Sequence, residues 1–168
     1  MTEALKPESQ NADHNFWLRS TMNLARRAMS HGNHPFGALL VDPDGLMLME
    51  QENAFLPLRD RTAHAERLLA SRACQQYPFD YLSQCTLYVS AEPCAMCAGA
   101  IYWAGIGGVV YGLSEKRLKA ITGNHPDNPT LDLSCRTVFA AGQHLVRVIG
   151  PLLEDEAEEP HRQFWKIP

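Results

Sequence analysis

Apolar residues along the chain fall in short clusters separated by polar breaks rich in glycine and proline, and the spacing inside the clusters changes from one to the next. Trp17, Leu24, Ala25 and Ala28 lie close to one stripe of a helix over Asn15 to His31, with Asp13 or Asn15 available as its cap. His31-Gly32-Asn33-His34-Pro35 ends that stripe. Two short apolar runs, Phe36 to Val41 and Leu46 to Met49, flank Asp42-Pro43-Asp44-Gly45 and predict a β-hairpin. Thr62 can cap a helix running through His64, Leu68, Leu69 and Ala73 to Tyr77. Cys85 to Val89 reads as a strand, and Cys94 to Trp103 as a helix opening at a proline, a residue favoured at helix starts. Val109 to Leu113 predicts a strand, Glu115 to Ile121 a short helix and Leu145 to Ile149 a strand. Glu154 to Trp165 predicts a helix that Pro160 should kink or split. Residues 1–12 read as a mobile tail, which leaves 13–168 as one domain. Strands alternating with helices after an opening hairpin predict a three-layer α/β/α sandwich with a mixed sheet.

Composition narrows the class. At 168 residues and 45% hydrophobic, the chain is long enough to bury a core. No apolar run approaches membrane-spanning length, and residues 1–12 are polar, which argues against export and for the cytoplasm. Five cysteines, an odd number, fit a reducing compartment better than a disulfide framework. Cys74, Cys85 and Cys135 are expected as buried small hydrophobes. The net charge of −4 bears on the choice of partner.

The chemistry concentrates in two segments, Thr62-Ala63-His64-Ala65-Glu66 and Pro93-Cys94-Ala95-Met96-Cys97. His64, Cys94 and Cys97 make three zinc ligands, and a catalytic zinc takes three protein ligands and leaves the fourth position for water. Glu66 stands beside the metal without being needed to bind it, so it is the expected proton carrier. On the predicted elements His64 and Glu66 open one helix and Cys94 and Cys97 the next. Helix starts favour thiolate over thiol, and two cysteines three apart share one face. Competing readings are weaker. A structural zinc site needs a fourth ligand, which Cys74, Cys85, Cys135 or another histidine would have to supply; a redox C-x-x-C needs no histidine and leaves Glu66 unexplained. The ordered pattern H-x-E…P-C-x-x-C is that of the zinc nucleobase deaminases.

With these residues the chain resembles the cytidine deaminase-like superfamily, in the branch of guanine deaminases and tRNA adenosine deaminases. Further matching segments are Pro35-Phe36-Gly37-Ala38, Asn53, Ala98-Gly99-Ala100-Ile101-Tyr102-Trp103-Ala104 and Val109-Val110-Tyr111-Gly112. The resemblance implies a five-stranded sheet with strands four and five parallel, one zinc per chain and a homodimer with its sites near the interface. It also implies that Asn53 hydrogen-bonds the substrate ring, that Gly37 and Ala38 lie against the substrate, and that the Ala65 N–H faces it. On spacing alone Asn53 is as readily a turn residue, and Gly37-Ala38 a strand start needing small residues. Phe36 is the aromatic candidate for the pocket, whereas Tyr102 and Trp103 read as core or dimer interface.

The resemblance is incomplete in one place. Guanine deaminases carry an acid on the helix after the Val109–Leu113 strand, and Arg117 or Lys119 falls there, with Glu115, Asp127 and Asp132 the acids nearby. The loop 122–130 matches neither branch and is expected beside the pocket. The negative net charge and the acidic run Glu154 to Glu159 weigh against a phosphate-bearing partner. The resulting expectation is zinc-dependent hydrolytic deamination of a small purine-type base or nucleoside, guanine-like. The alternatives are a tRNA adenosine deaminase or a catalytically silent zinc protein.

Overall fold

A computed structural model describes residues 7–165. Five strands, β1 (Gly37–Val41), β2 (Met47–Glu52), β3 (Thr86–Ala91), β4 (Gly108–Leu113) and β5 (Arg147–Ile149), form one sheet in the order β2-β1-β3-β4-β5. β1 pairs antiparallel with β2 and β3, whereas β3–β4 and β4–β5 are parallel. The sheet is therefore mixed, as expected. β1 and β4 are buried along their whole length, which is why their sequences, GALLV and GVVYGL, read as continuous apolar runs. The hairpin turn is held by the Asp42 carboxylate, which accepts from the N–H groups of Asp44 (2.9 Å) and Leu46 (2.8 Å).

Helices cover both faces of the sheet. On one face α1 (Pro7–Ser30), α6 (Glu115–Thr122) and α8 (Glu154–Phe164) bury Leu18, Met22, Leu118 and Ala157 against Leu39, Tyr88 and Val110. On the other, α3 (Ala65–Gln76), α5 (Ala95–Ala104) and α7 (Cys135–Ala140) bury Leu69, Ile101 and Phe139 against Leu40, Val89 and Val109. Neighbouring strand residues thus go to opposite layers, as the pleat requires. Two one-turn helices, α2 (Phe55–Leu58) and α4 (Phe79–Leu82), and the short α7 carry no helical periodicity long enough to read in advance.

Several expectations need correction. Of the predicted tail, residues 1–6 lie outside the described residues, and the chain is already helical from Pro7, a residue suited to a first helical turn. The caps Asp13 and Asn15 therefore fall inside α1. Thr62 does not cap α3; His64 and Cys94 themselves are the N-caps of α3 and α5. α8 runs through Pro160 without a break. Cys85 and Cys135 are buried, but Cys74 is exposed, because Leu69, Ala70 and Ala73 set the inward face of α3. Trp103 is 85% exposed, since Ala98, Ile101 and Ala104 set the buried stripe of α5, so it is not core. The acidic run is tied to its neighbours. Glu156 pairs with Arg19 (2.9 Å) and Glu159 with Arg26 (2.6 Å), both on α1, and Asp155 pairs with Arg117 (2.6 Å). No helix among the described residues is long and apolar enough to cross a membrane.

Candidate active site

β3 and β4 are parallel neighbours with Ala91 paired to Leu113, so the segments leaving their C-terminal ends emerge side by side. In open α/β sheets this edge is where ligands bind. Glu92-Pro93 leads from β3 into α5, Ser114 leads from β4 into α6, and α3, packed against α5, brings its own start to the same place.

His64 and Cys94 are extended, with φ/ψ of −68/147° and −64/170°. Neither side chain caps its helix, so both are free to bind elsewhere. Cys97, in the first turn of α5, is buried. His64 Nδ1 lies 3.5 Å from Cys97 Sγ and 3.7 Å from Cys94 Sγ, and the three ligand atoms are all within 4.8 Å of one another. Zinc–nitrogen and zinc–sulfur bonds of about 2.1 and 2.3 Å at a tetrahedral angle put the two ligand atoms about 3.6 Å apart. The spacing fits a metal ion of that size. No fourth protein ligand joins the cluster among the described residues, which is the arrangement of an open, catalytic centre. The donors also share protons. The Cys97 thiol beside it, helped by His64, draws Cys94 down to about 4, and the same contact pushes Cys97 up.

Glu66, the second residue of α3, is 4% exposed and faces the cavity. Burial, partly opposed by His64, raises it to about 7, so it can take and return a proton near neutrality. Its own backbone N–H reaches the carboxyl, and no other side chain among the described residues hydrogen-bonds it.

The cavity over these groups has a volume of about 250 Å³. Phe36, Phe55 and His34 line one wall, with the His34 and Phe55 rings stacked 5.1 Å apart. Asp127 to Leu131, from the loop expected beside the pocket, line another, and Glu115 and Leu118 of α6 a third. The loop is bound to the fold through Asn128, whose amide donates to Thr122 Oγ1 (3.2 Å), and through His125, whose ring packs 5.1 Å from Trp165. Trp165 also packs against His34 (5.0 Å), so the C-terminal end of α8 braces two walls.

Glu92 ties the site together. One of its carboxylate oxygens accepts from Ser134 Oγ and the Cys135 N–H, both at 3.1 Å, and the other accepts from the Glu115 N–H at 3.0 Å. The residue just before Pro93-Cys94 therefore clamps the starts of α6 and α7. Its place beside the cysteine motif was visible in the sequence, but its partners, far along the chain, were not.

The remaining expected residues are placed differently. Gly37, Ala38 and Ala65 are buried and do not line the cavity. A side chain at Gly37 would run into α1, at the Leu24 side chain, Thr21 O (2.6 Å) and Ala25 N (2.9 Å), so close helix packing accounts for this glycine. Asn53 is buried, and its Oδ1 accepts from the Phe55 N–H (3.0 Å), starting α2 and fixing a wall residue; the residue also borders a second surface. That surface is an open groove of about 680 Å³ beside Arg27, Glu50 and Glu52, and it holds none of the metal-binding donors. Arg117 points away to Asp155 and Glu158, and Lys119 pairs with Asp132 (2.6 Å). The acid that α6 presents to the cavity is Glu115.

An open three-ligand metal centre with a buried carboxylate beside it, set at the end of parallel strands in an α/β/α sandwich, defines a metal-dependent hydrolytic enzyme. Residues 11–113 match the family model of the cytidine and deoxycytidylate deaminase zinc-binding region, and the chain belongs to that family of zinc-dependent deaminases. Similar proteins carry several substrate names. A probable cytosine deaminase of Schizosaccharomyces pombe is 38% identical over 149 residues, covering 89% of this chain and 90% of that one. A tRNA-specific adenosine deaminase of Aquifex aeolicus is 34% identical over 119 residues, 70% of this chain and 78% of that one. A solved structure of guanine deaminase from Nitrosomonas europaea superposes with a TM-score of 0.72 at 26% identity, covering 98% of this chain and 95% of that one.

Proposed function

We propose that this protein hydrolytically deaminates a free, uncharged heterocyclic base, guanine or a close aminopurine first among them. The observation that carries this reading is the scarcity of cations in the cavity lining. Glu66, Glu92, Glu115 and Asp127 face it, and Arg61 is the only arginine or lysine in its lining among the described residues. Such a site offers phosphate few cationic partners, whereas RNA-binding surfaces gather cations. The volume suits a small ring system, and the Phe36 and Phe55 side chains offer apolar faces for it.

His64 Nδ1 and the sulfurs of Cys94 and Cys97 would hold zinc, one ion per chain. When bound, zinc supplies the Lewis acidity that makes water nucleophilic at neutral pH. Glu66 does the proton work. Water adds to the amino-bearing ring carbon, its protons pass by way of the Glu66 carboxyl to the ring nitrogen and the amine, and the C–N bond breaks. The base exchanges –NH₂ for a carbonyl oxygen and ammonia leaves. Phe36 lines the ring site, while Asn53, Gly37, Ala38 and Ala65 act by shaping the elements behind it. The reading extends to a homodimer. The exposed Trp103, Phe79 and Leu145 border the stacked rings of Tyr102 and His144, 4.0 Å apart, and form the apolar face a second copy would cover. All five cysteines are free, which suits the cytoplasm.

A second reading, cytosine as substrate, is favoured by the length and identity of the match to the Schizosaccharomyces pombe relative. Ammonia release from guanine, adenine, guanosine, adenosine, cytosine and a tRNA anticodon hairpin tests both. Fastest turnover of guanine supports the first reading and of cytosine the second. Fastest turnover of the hairpin, with binding that falls steeply as salt rises, overturns both.

A further inference from the structure

α8 buries two polar side chains, and they are not alike. Glu158 is buried with its carboxylate met by the guanidinium groups of Arg117 and Arg162. His161 is fully buried, and its Nε2 is the one buried side-chain nitrogen or oxygen without a hydrogen-bond partner among the described residues. An indole N–H can only donate. The 3.0 Å contact from Trp165 Nε1 therefore makes His161 Nδ1 the acceptor and leaves the proton of the neutral ring on Nε2. Burial keeps the ring neutral, with its pKa pushed down to about 3. A buried donor without an acceptor is costly, and a phenylalanine packed on Phe36 in its place would avoid that cost. What histidine adds is the bond to Trp165.

We propose that His161 is a positioning residue of the base site, fixing through Trp165 and Phe36 the cavity walls away from the metal-binding donors. This rests on the deaminase reading given above. Trp165 is buried and bonds His161 twice. Its backbone N–H donates to the His161 carbonyl (3.0 Å) and its indole N–H to Nδ1, so neither the chain nor the ring can turn alone. The indole so held packs on His34 (5.0 Å), which is itself stacked on Phe55 (5.1 Å). It also packs on His125 (5.1 Å), in the loop that continues to the lining residues Asp127 to Leu131. The His161 ring meets Phe36 directly, at 5.0 Å and 64°. One buried side chain thus stands behind Phe36, His34, Phe55 and the loop. Among the described residues no hydrogen bond or ring contact joins it to His64, Glu66, Cys94 or Cys97. Loosening it should weaken the hold on the base and leave the metal and the proton transfer in place.

The test joins nitrogen NMR of the histidine rings in the zinc-loaded protein to steady-state kinetics on the best substrate of the panel named above. The His161 ring should stay neutral from pH 7 to pH 5, with its proton on Nε2. His161→Phe combined with Trp165→Phe removes both polar partners and keeps two rings. That protein should be more stable in chemical denaturation than either single variant, because no buried donor or acceptor is left unpaired. It should hold one zinc, yet its KM should rise about tenfold, the factor one hydrogen bond amounts to, with kcat changed by less than about threefold. His161→Asn, whose Oδ1 can stand where Nδ1 stood and accept from Trp165, should recover most of the KM that His161→Phe loses. If the double variant does not fold, the comparison of His161→Phe with His161→Asn decides alone. A wild-type KM in the folded double variant, or equal KM values for His161→Phe and His161→Asn, overturns the assignment and leaves the deaminase reading standing. A proton on Nδ1, loss of zinc, or a fall in kcat as large as the rise in KM overturns it as well. No ammonia release from any compound of the panel by the wild-type enzyme overturns the deaminase reading itself.

Discussion

The two sides of the cavity are built differently. On the catalytic side, His64 and Glu66 come from one helix start and Cys94 and Cys97 from another, each pair within a few residues of chain. On the opposite side, Phe36 enters β1, Phe55 opens a one-turn helix, Glu115 opens α6, and residues 127–131 are a loop. These pieces are assembled at long range, through the Glu92 carboxylate and the packing of Trp165 on His34 and His125. The metal-binding donors are thus set by local sequence and the opposite wall by tertiary packing. The one can stay fixed while the other changes, which accords with similar proteins named for cytosine, guanine and tRNA adenosine.

The largest effect is expected where the catalytic side is cut. Cys97→Ala should lose the metal and reduce ammonia release to background, as metal analysis alongside a turnover assay will show. If the protein keeps one equivalent of tightly held zinc and its activity, the ligand set is wrong. Breaking the other side should look different. Glu92→Ala strands three donors and should cost about 3 kcal/mol of stability in chemical denaturation. It should retain metal and raise KM, because the starts of α6 and α7 loosen while His64, Cys94 and Cys97 stay. Loss of metal in that variant would mean that the two sides are not separable.

A smaller effect comes from pH. His161 on α8 is fully buried, and its Nδ1 accepts from Trp165 Nε1 (3.0 Å), while its ring packs 5.0 Å from Phe36. Burial holds its pKa down to about 3, against an ordinary value of 6.5. Between those values the unfolded chain binds a proton that the folded chain refuses. Stability is therefore whole above 6.5 and falls as pH drops toward 3, with a slope approaching about 1.4 kcal/mol per unit. His161→Gln should flatten denaturation midpoints measured between pH 7.5 and 5; parallel curves for variant and wild type would remove His161 as the cause. The smallest effect is expected at the exposed Cys74, where Cys74→Ser should change stability by less than about 0.5 kcal/mol and leave the metal in place.

The same division explains what the sequence could tell. The strands β1, β3 and β4, the hairpin, and the helices bearing His64 and Cys94 were legible because each is a local pattern of burial or spacing. The clustering of His64, Cys94 and Cys97, with Glu66 lining the same cavity, was legible because each half is a short motif at a helix start. Glu92 was overlooked, since its partners, the Glu115 N–H, Ser134 and the Cys135 N–H, lie far along the chain. The packing of α1 against Gly37 was not legible, because it is a tertiary contact between distant segments. The exposure of Trp103 and Cys74 turned on helical phase, which composition alone does not resolve.

The central claim is that Glu66 moves protons beside a metal it does not bind. Glu66→Gln, purified and compared with wild type for zinc content and for ammonia release from the best substrate of the panel, tests it most directly. The account predicts one zinc per chain in both proteins and a fall in kcat of about a hundred- to ten-thousandfold in the variant. Turnover close to wild type, or loss of the zinc with the carboxylate, would contradict it.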